Sequence, residues 1–409
     1  MIDLVAAEGY EKVTIRNLTR LAGVSSHTFY EHFDGKEECF LATYETIERY
    51  LLDRVREAQE GKEDWEERLR LGFLALAREI IGEADAARLA LIEAFAGGPA
   101  ALERIRRARS SFESILAENF ARAPDHVTVP PFVLKGIVAG VSRVARARLL
   151  ASEESEMLSL AEQLLRWTLA LRAESADLQG LDRRLPSGST GSSSIASRAA
   201  ELVEDIQEGD RALIIDSVAR LAASEGYWHL SVPRIRAAAG ITRKTFDTHF
   251  EGVEDSFLTT VETLTGRAVA KAMREGWQAE TWAGGVYRTI AALCADLARN
   301  RPFARLAFIE VFAPGPEGMV RREALVNQIV KLLRDAAPPG QAPSELEAEA
   351  SVGAIWGVMH HHVAGGEAER LPQVAGTLAF LALAPSLGSA PAIEEIAAEQ
   401  GRIADSILS

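Results

Sequence analysis

Apolar positions along the chain recur at a helical period. Leu41, Ile47, Leu51, Leu52 and Val55 lie near the 3.6-residue spacing of one helix face, as do Leu69, Phe73, Leu76, Ile80 and Ile81. Alternation of period two is absent. The pattern predicts an all-α protein with about nine helices in each half of the chain, three short ones followed by longer ones. Longer helices are expected within 64–122, 130–151 and 154–174, then within 279–337, 343–364 and 370–384. The tail 390–408 reads as a further helix without a counterpart in the first half.

The halves repeat one another. Leu4-Val-Ala-Ala-Glu-Gly-Tyr10 recurs as Leu221-Ala-Ala-Ser-Glu-Gly-Tyr227, an offset of 217. Held fixed, that offset aligns 4–47 with 221–264 without a gap, and about 18 of 44 positions are identical. It carries Trp65 onto Trp282, Glu93 onto Glu310, Phe95 onto Phe312, and Gly136 and Gly140 onto Gly353 and Gly357. A period this long is a whole unit duplicated in tandem, not a solenoid. Between the copies, Pro186-Ser-Gly-Ser-Thr-Gly-Ser-Ser-Ser194 has the composition of a flexible coil. The linker is set at 177–208, and its end, Ile195 to Gln207, fits a short amphipathic helix.

The first fifty residues hold the most specific pattern. Thr14 suits the N-cap of a short helix, Ile15 to Ala22, and Gly23 suits the sharp turn behind it. A second short helix follows, Ser26-His-Thr-Phe-Tyr-Glu-His-Phe33. Helix, glycine turn and helix form a helix-turn-helix signature. Its expected core is Leu18, Leu21, Val24, Phe29 and Phe33, which leaves Ser26, His27, Tyr30 and Glu31 facing out.

Leu21-Ala-Gly-Val-Ser-Ser-His-Thr-Phe-Tyr-Glu-His-Phe33, followed by Lys36-Glu37 and Phe40-Leu41, resembles the DNA-binding domain of TetR-family transcriptional regulators. Ala239-Gly-Ile-Thr-Arg-Lys-Thr-Phe-Asp-Thr-His-Phe250, followed by Phe257-Leu258, is similar to it as well. The later helices resemble the family's helical ligand-binding and dimerising domain more loosely. The usual member carries one copy and works as a homodimer. This resemblance implies a helix-turn-helix domain at 1–47 with a short first helix, a helical ligand-binding and dimerisation domain at 48–176, a second head at 209–264 and a second helical domain at 265–409. The two copies are then expected to form a pseudo-two-fold dimer within one chain. Gly136, Gly140, Gly353 and Gly357, spaced i, i+4, are expected to let its interface helices approach closely.

Carried over by position, the resemblance implies DNA contacts from Thr14, Ser25, Ser26, His27, Tyr30, His32 and Lys36. In the second head they come from Ser231, Thr242, Arg243, Lys244 and His249. There Tyr30 is replaced by Asp247 and Lys36 by Val253, so a carboxylate enters and a phosphate cation is lost. Met1 aligns with Val218, so the stretch equivalent to Arg211–Ser217 has no counterpart in the first head: either the start site is placed too late, or the first head is weakened and less stable. Because the heads differ, an asymmetric operator is expected, with half-sites about one DNA turn apart. Residues 14–33 carry Arg16 and Arg20 against Glu31, a net +1. Residues 231–250 carry Arg234, Arg236, Arg243 and Lys244 against Asp247, a net +3. Salt-sensitive binding led by the second head follows.

For the helical bodies, Trp65, Phe73 and Glu93, with Trp282, Tyr287 and Glu310, are the candidate ligand-binding residues. Phe95, Phe112, Phe303, Phe308 and Phe312 belong to the same aromatic sets. Core packing is the plainer reading of the aromatics, and pocket lining uses the same residue types. For the two glutamates a solvated or salt-bridged helix position is the plainer reading beside a polar pocket group.

Composition adds limits. A formal net charge of -14 excludes a general nucleic-acid coat protein but not a small basic reading surface on an acidic body. Cys39 and Cys294 are too few for a disulfide framework and read as packing residues in a reducing compartment. No apolar run reaches the roughly 18 residues of a membrane span, and no signal peptide precedes the first helix, so a cytoplasmic protein without membrane contact is expected. His360-His361-His362 point about 100° apart on a helix and cannot all hold one ion. No phosphate-binding loop or catalytic motif is found, so neither enzyme activity, metal nor cofactor is expected. The expected partners are double-stranded DNA and an unknown small-molecule effector. The expected state is a monomeric pseudo-dimer, with further dimerisation left open. The function expected is a ligand-responsive repressor. The alternative is a helical protein that binds a small molecule or protein, its DNA heads degenerate.

Overall fold

Both short helices of the first head start on a side chain that accepts an otherwise orphaned N–H: Thr14 Oγ1 from Asn17 at 3.2 Å, and Ser25 Oγ from Thr28 at 3.0 Å. Gly23 closes the first of them at φ 67°, the left-handed conformation that only glycine adopts cheaply. The computed structural model describes residues 1–125, 127–182 and 209–408. The predicted linker stretch Pro186–Ser194 and the helix expected over Ile195–Gln207 lie outside the described residues. Among the described residues the elements are α-helices and short 3₁₀ turns, with no strand. The chain divides into two units: Met1–Arg172 with Glu349–Ala354, and Ala173–Ala348 with Ile355–Ser409.

The first unit runs α1 (Ile2–Glu8), α2 (Ile15–Ala22), α3 (Ser26–His32), α4 (Lys36–Gln59), α5 (Trp65–Gly82), α6 (Ala84–Leu91), α7 (Gly98–Phe120), α8 (Pro131–Ala151) and α9 (Met157–Ala170). Helix α5 packs against both α4 and α9. Leu52 and Val55 of α4 meet Ile115 of α7, and Leu76 and Phe112 flank them. One end of α4 is tied off by a polar network. Gln59 donates to the Arg68 carbonyl at 2.9 Å, Arg68 donates back to the Gln59 carbonyl at 2.7 Å, and Arg68 Nε reaches Asn119 at 3.0 Å.

Residues 349–354 belong to this unit for a reason legible in its packing. Arg143 is fully buried and ion-pairs with Glu349 at 2.9 Å, and Arg148 reaches the same carboxylate at 3.2 Å. Trp167 Nε1 donates to Ser351 at 3.1 Å. Gly140 and Gly353 allow the approach: a Cβ on Gly140 would stand 2.6 Å from the Ala350 carbonyl oxygen, and one on Gly353 would stand 2.8 Å from Arg143 Cβ.

The second unit begins with α10 (Ser175–Leu181) and continues with α11 (Asp210–Glu225), α12 (Val232–Ala239), α13 (Arg243–His249), α14 (Val253–Gly276), α15 (Trp282–Arg299), α16 (Arg301–Phe308), α17 (Pro316–Asp335), α18 (Glu345–Ala364, apart from its residues 349–354), α19 (Ala375–Leu387) and α20 (Ser389–Leu408). The expected boundary at 176 falls inside α10. Leu178 and Leu181 are buried in the second unit, where Asp182 accepts the Thr377 N–H at 2.9 Å and its hydroxyl at 2.8 Å. An aspartate at the first turn of α19 is favoured by the helix dipole. Helix α20 lies on α15 and α19. Glu399 is fully buried there and is paired with Arg288 and Arg402.

The described heads differ in cover. In the second, the sixteen-residue α11 packs on α12 and α13, and Ile214, Ile215 and Val218 are buried. In the first, α1 has seven residues, with Val5 buried. Leu18 and Phe29 are buried as expected, but Leu21 is 55% exposed and Val24 41%. These two are therefore not core residues here. In the second head the equivalent positions, Ala238 and Ile241, are exposed and half-buried.

Candidate reading heads and an apolar cavity

The short helices α3 and α13, the expected recognition helices, start alike. Ser25 and Thr242 each accept the N–H three residues on, at 3.0 and 3.1 Å. Behind these caps, Phe29 and Phe246 anchor the helices to their cores. Ser26, His27, Tyr30 and His32 on α3, and Arg243, Lys244 and His249 on α13, are exposed side by side. The fold thus brings most of the expected DNA-contacting residues onto the surface of two short helices.

Several of them are engaged within the head. Thr14 spends its hydroxyl oxygen as the cap of α2, whereas Ser231 caps α12 without a side-chain hydrogen bond. Lys36 does not point away from the protein. Its Nζ donates to the Tyr10 and Glu11 carbonyls at 3.1 and 3.2 Å and lies 4.4 Å above the Tyr10 ring. Arg243 Nε lies 2.8 Å from both carboxylate oxygens of Asp247, one turn on. Arg234 pairs with Glu225 at 2.5 Å. Among the described residues, Lys244 makes no ion pair. On α3 of the first head, His27 Nε2 lies 3.4 Å from Glu31, a pair whose equivalents are Lys244 and Thr248.

Glu93 and Glu310 face their heads. Glu93 accepts the Tyr10 N–H at 3.1 Å, and Glu310 accepts the Tyr227 N–H at 3.0 Å. Arg305 completes the second site by donating to Glu310 at 3.0 Å. Gly9 and Gly226 precede the two donors at φ 78° and 85°, with extended ψ, a conformation essentially reserved for glycine. Burial pushes the Glu93 carboxyl upward, opposed by the Tyr10 hydrogen bond.

The helical body of the first unit has a partly open apolar cavity of about 150 Å³, formed by α4 to α9. Of Trp65, Phe73 and Glu93, Phe73 alone lines it. Trp65 instead packs against Phe120 and lies under the Arg172 guanidinium, and Glu93 is turned to its head. The polar lining is sparse: Tyr44, Glu48, Gln59 and Ser142. Glu48 has the Ser111 hydroxyl 3.5 Å away, and burial pushes its carboxyl upward against that contact. Burial also pushes the Tyr44 phenol up, with nearby Arg109 opposing. Glu48 was missed in the sequence, although the signal existed: Tyr44, Glu48, Leu51 and Val55 share one helix face, on which a lone carboxylate is out of place.

In the second unit a cavity of about 10 Å³ is lined by Val261, Ala307, Leu325 and others. Trp282, Tyr287 and Glu310 do not line it. Tyr287 is buried, and its hydroxyl accepts from Gln400 of α20 at 3.1 Å. His362 is buried, with Nδ1 2.9 Å from the Val358 carbonyl. No cluster of His, Cys, Asp and Glu among the described residues is arranged to hold a metal ion. Both cysteines are buried thiols. No described helix is long and apolar enough to cross a membrane.

Residues 2–43 match the family of bacterial regulatory proteins, tetR family, which supports a DNA-binding transcription regulator. No curated protein matches the chain. A solved structure described as the fatty acid degradation regulator FadR from Bacillus halodurans matches 44% of this chain and 97% of its own, at 19% identity and a TM-score of 0.38.

Proposed function

We propose that this chain is a ligand-responsive transcriptional repressor carrying two tetR-type heads fused in tandem, which read the unequal halves of an asymmetric operator. The observation that carries the reading is the repeated carboxylate bond between body and head, Glu93 to Tyr10 and Glu310 to Tyr227, at the one offset of 217. Duplicated caps at Ser25 and Thr242 support it, as do duplicated left-handed glycines at Gly23 and Gly240. The exposed helix starts then differ, Ser26-His27 against Arg243-Lys244, so equal scaffolds present unequal chemistry to DNA. Lys244, which makes no ion pair among the described residues, is the strongest phosphate or guanine ligand of the pair.

Ligand response is assigned to the first body, whose cavity is lined by α4 and by α6 and α7, the helices on either side of Glu93. A ligand that favours one arrangement of these helices shifts the population toward or away from the DNA-fitting state. The second reading, a binding protein with degenerate heads, is favoured by Lys36 held on Tyr10 and Glu11 and by Asp247 held on Arg243. Binding of the purified chain to genomic DNA fragments at two salt concentrations separates the two. The repressor reading expects affinity to fall steeply with salt. Absent or salt-insensitive binding supports the second.

A further inference from the structure

The two bodies differ at the cavity. At the fixed offset, Leu91 of the first lining corresponds to Phe308, Ser142 to Met359 and Ala145 to His362. All three replacements are larger and are buried in the second unit. Three lining positions, Tyr44, Ala90 and Ala108, correspond to Val261, Ala307 and Leu325, which line the cavity of about 10 Å³. That space holds no more than one water. Glu48 corresponds to Thr265, so the second body also lacks the carboxylate.

The first cavity has the size for one ring. An apolar space of about 150 Å³ accepts a molecule such as benzene. Glu48 is the one ionisable carboxylate in its lining. Arg109, the cation near Tyr44, does not line it and lies 5.8 Å over the Phe95 ring. An anion placed there would face a carboxylate with no lining cation to offset it, while an ammonium or hydroxyl would donate to Glu48.

We propose that the first unit binds a single-ring compound whose amine or hydroxyl is held by Glu48, and that the second unit has no equivalent site, so one chain takes one ligand. This rests on reading the first body as the effector domain. The test is calorimetric titration of the full chain with benzylamine, benzyl alcohol and benzoate as millimolar probes. Benzylamine is expected to bind best, benzyl alcohol more weakly and benzoate not at all, at one molecule per chain. Glu48→Gln should lower benzylamine affinity about tenfold or more, the scale of a hydrogen bond to a charged group, and spare benzyl alcohol. Leu91→Phe with Ser142→Met, which copies the second body, should abolish binding of both while the chain still melts cooperatively. Tightest binding of benzoate, two molecules per chain, binding of none of the probes, or unchanged selectivity in Glu48→Gln overturns the proposal. The regulator reading fails separately, by absence of salt-sensitive DNA binding, which these probes do not measure.

Discussion

The carboxylate of Glu310 accepts the backbone N–H of Tyr227 at 3.0 Å across 83 residues of chain. Glu310 is buried, and Arg305 holds its other oxygen. Glu310→Ala leaves a part-buried N–H and an arginine without their acceptor. A loss of about 2 kcal/mol is expected, the cost of an unsatisfied buried group. The less buried Glu93→Ala should lose less. Thermal melts of the two variants check the order, and equal or reversed losses count against a structural bond between head and body.

Asp247 engages Arg243 in an exposed ion pair at 2.8 Å, one turn along α13. Asp247→Asn should raise DNA affinity several-fold by releasing that guanidinium and removing a carboxylate near phosphate. Lys244→Ala should do the reverse and reduce the salt slope by about 0.9, the value for one phosphate contact. Fluorescence anisotropy across a salt series reads both effects.

Glu48 gives a pH dependence of known sign. Burial raises its carboxyl pKa, so the folded state holds this proton better than the unfolded chain. The resulting stability is fully present below the ordinary glutamate range and is lost as pH rises through the raised value. Glu48→Gln removes the desolvated charge. It should melt slightly higher than the parent at pH 7, within about 1 kcal/mol, and the gap should close toward pH 4. A variant that melts lower at pH 7 contradicts the assignment.

Gly140 and Gly353 have no room for a side chain, because a Cβ on either would lie under 3 Å from a neighbour. Alanine at either position should cost about 1–3 kcal/mol through overpacking. Gly266, with nothing within 4 Å of its Cβ position, serves as the control, and its alanine variant should be neutral or stabilising. Denaturant midpoints check all three.

Local signals read well from the sequence. Thr14, Gly23 and the Phe29 core position are set by capping, turn and periodicity rules that act within a few residues. The close pair Gly140 and Gly353 was legible too, because i, i+4 glycines have few other uses. What failed was knowledge of what covers a face. Leu21 and Val24 have the spacing of core residues, yet both are exposed, as is Ala238, the Leu21 equivalent of the second head. Of the two readings of Glu93 and Glu310, the ion-paired one holds for Glu310, through Arg305, whereas the backbone N–H groups 83 residues away that both carboxylates accept carry no side-chain signature. The cavity escaped notice because its existence depends on residue volumes across six helices, not on any one pattern. Lys36 kept its expected place, but its charge is taken by two carbonyls that sequence spacing does not reveal.

Selection of genomic DNA fragments by the full chain, at about 100 mM salt so that non-specific contacts are weakened, tests the central claim most directly. The account predicts one asymmetric site with two unlike half-sites about a turn of DNA apart, and loss of one half-site when Lys244 is replaced. A strictly palindromic site, or no enrichment at all, would contradict it.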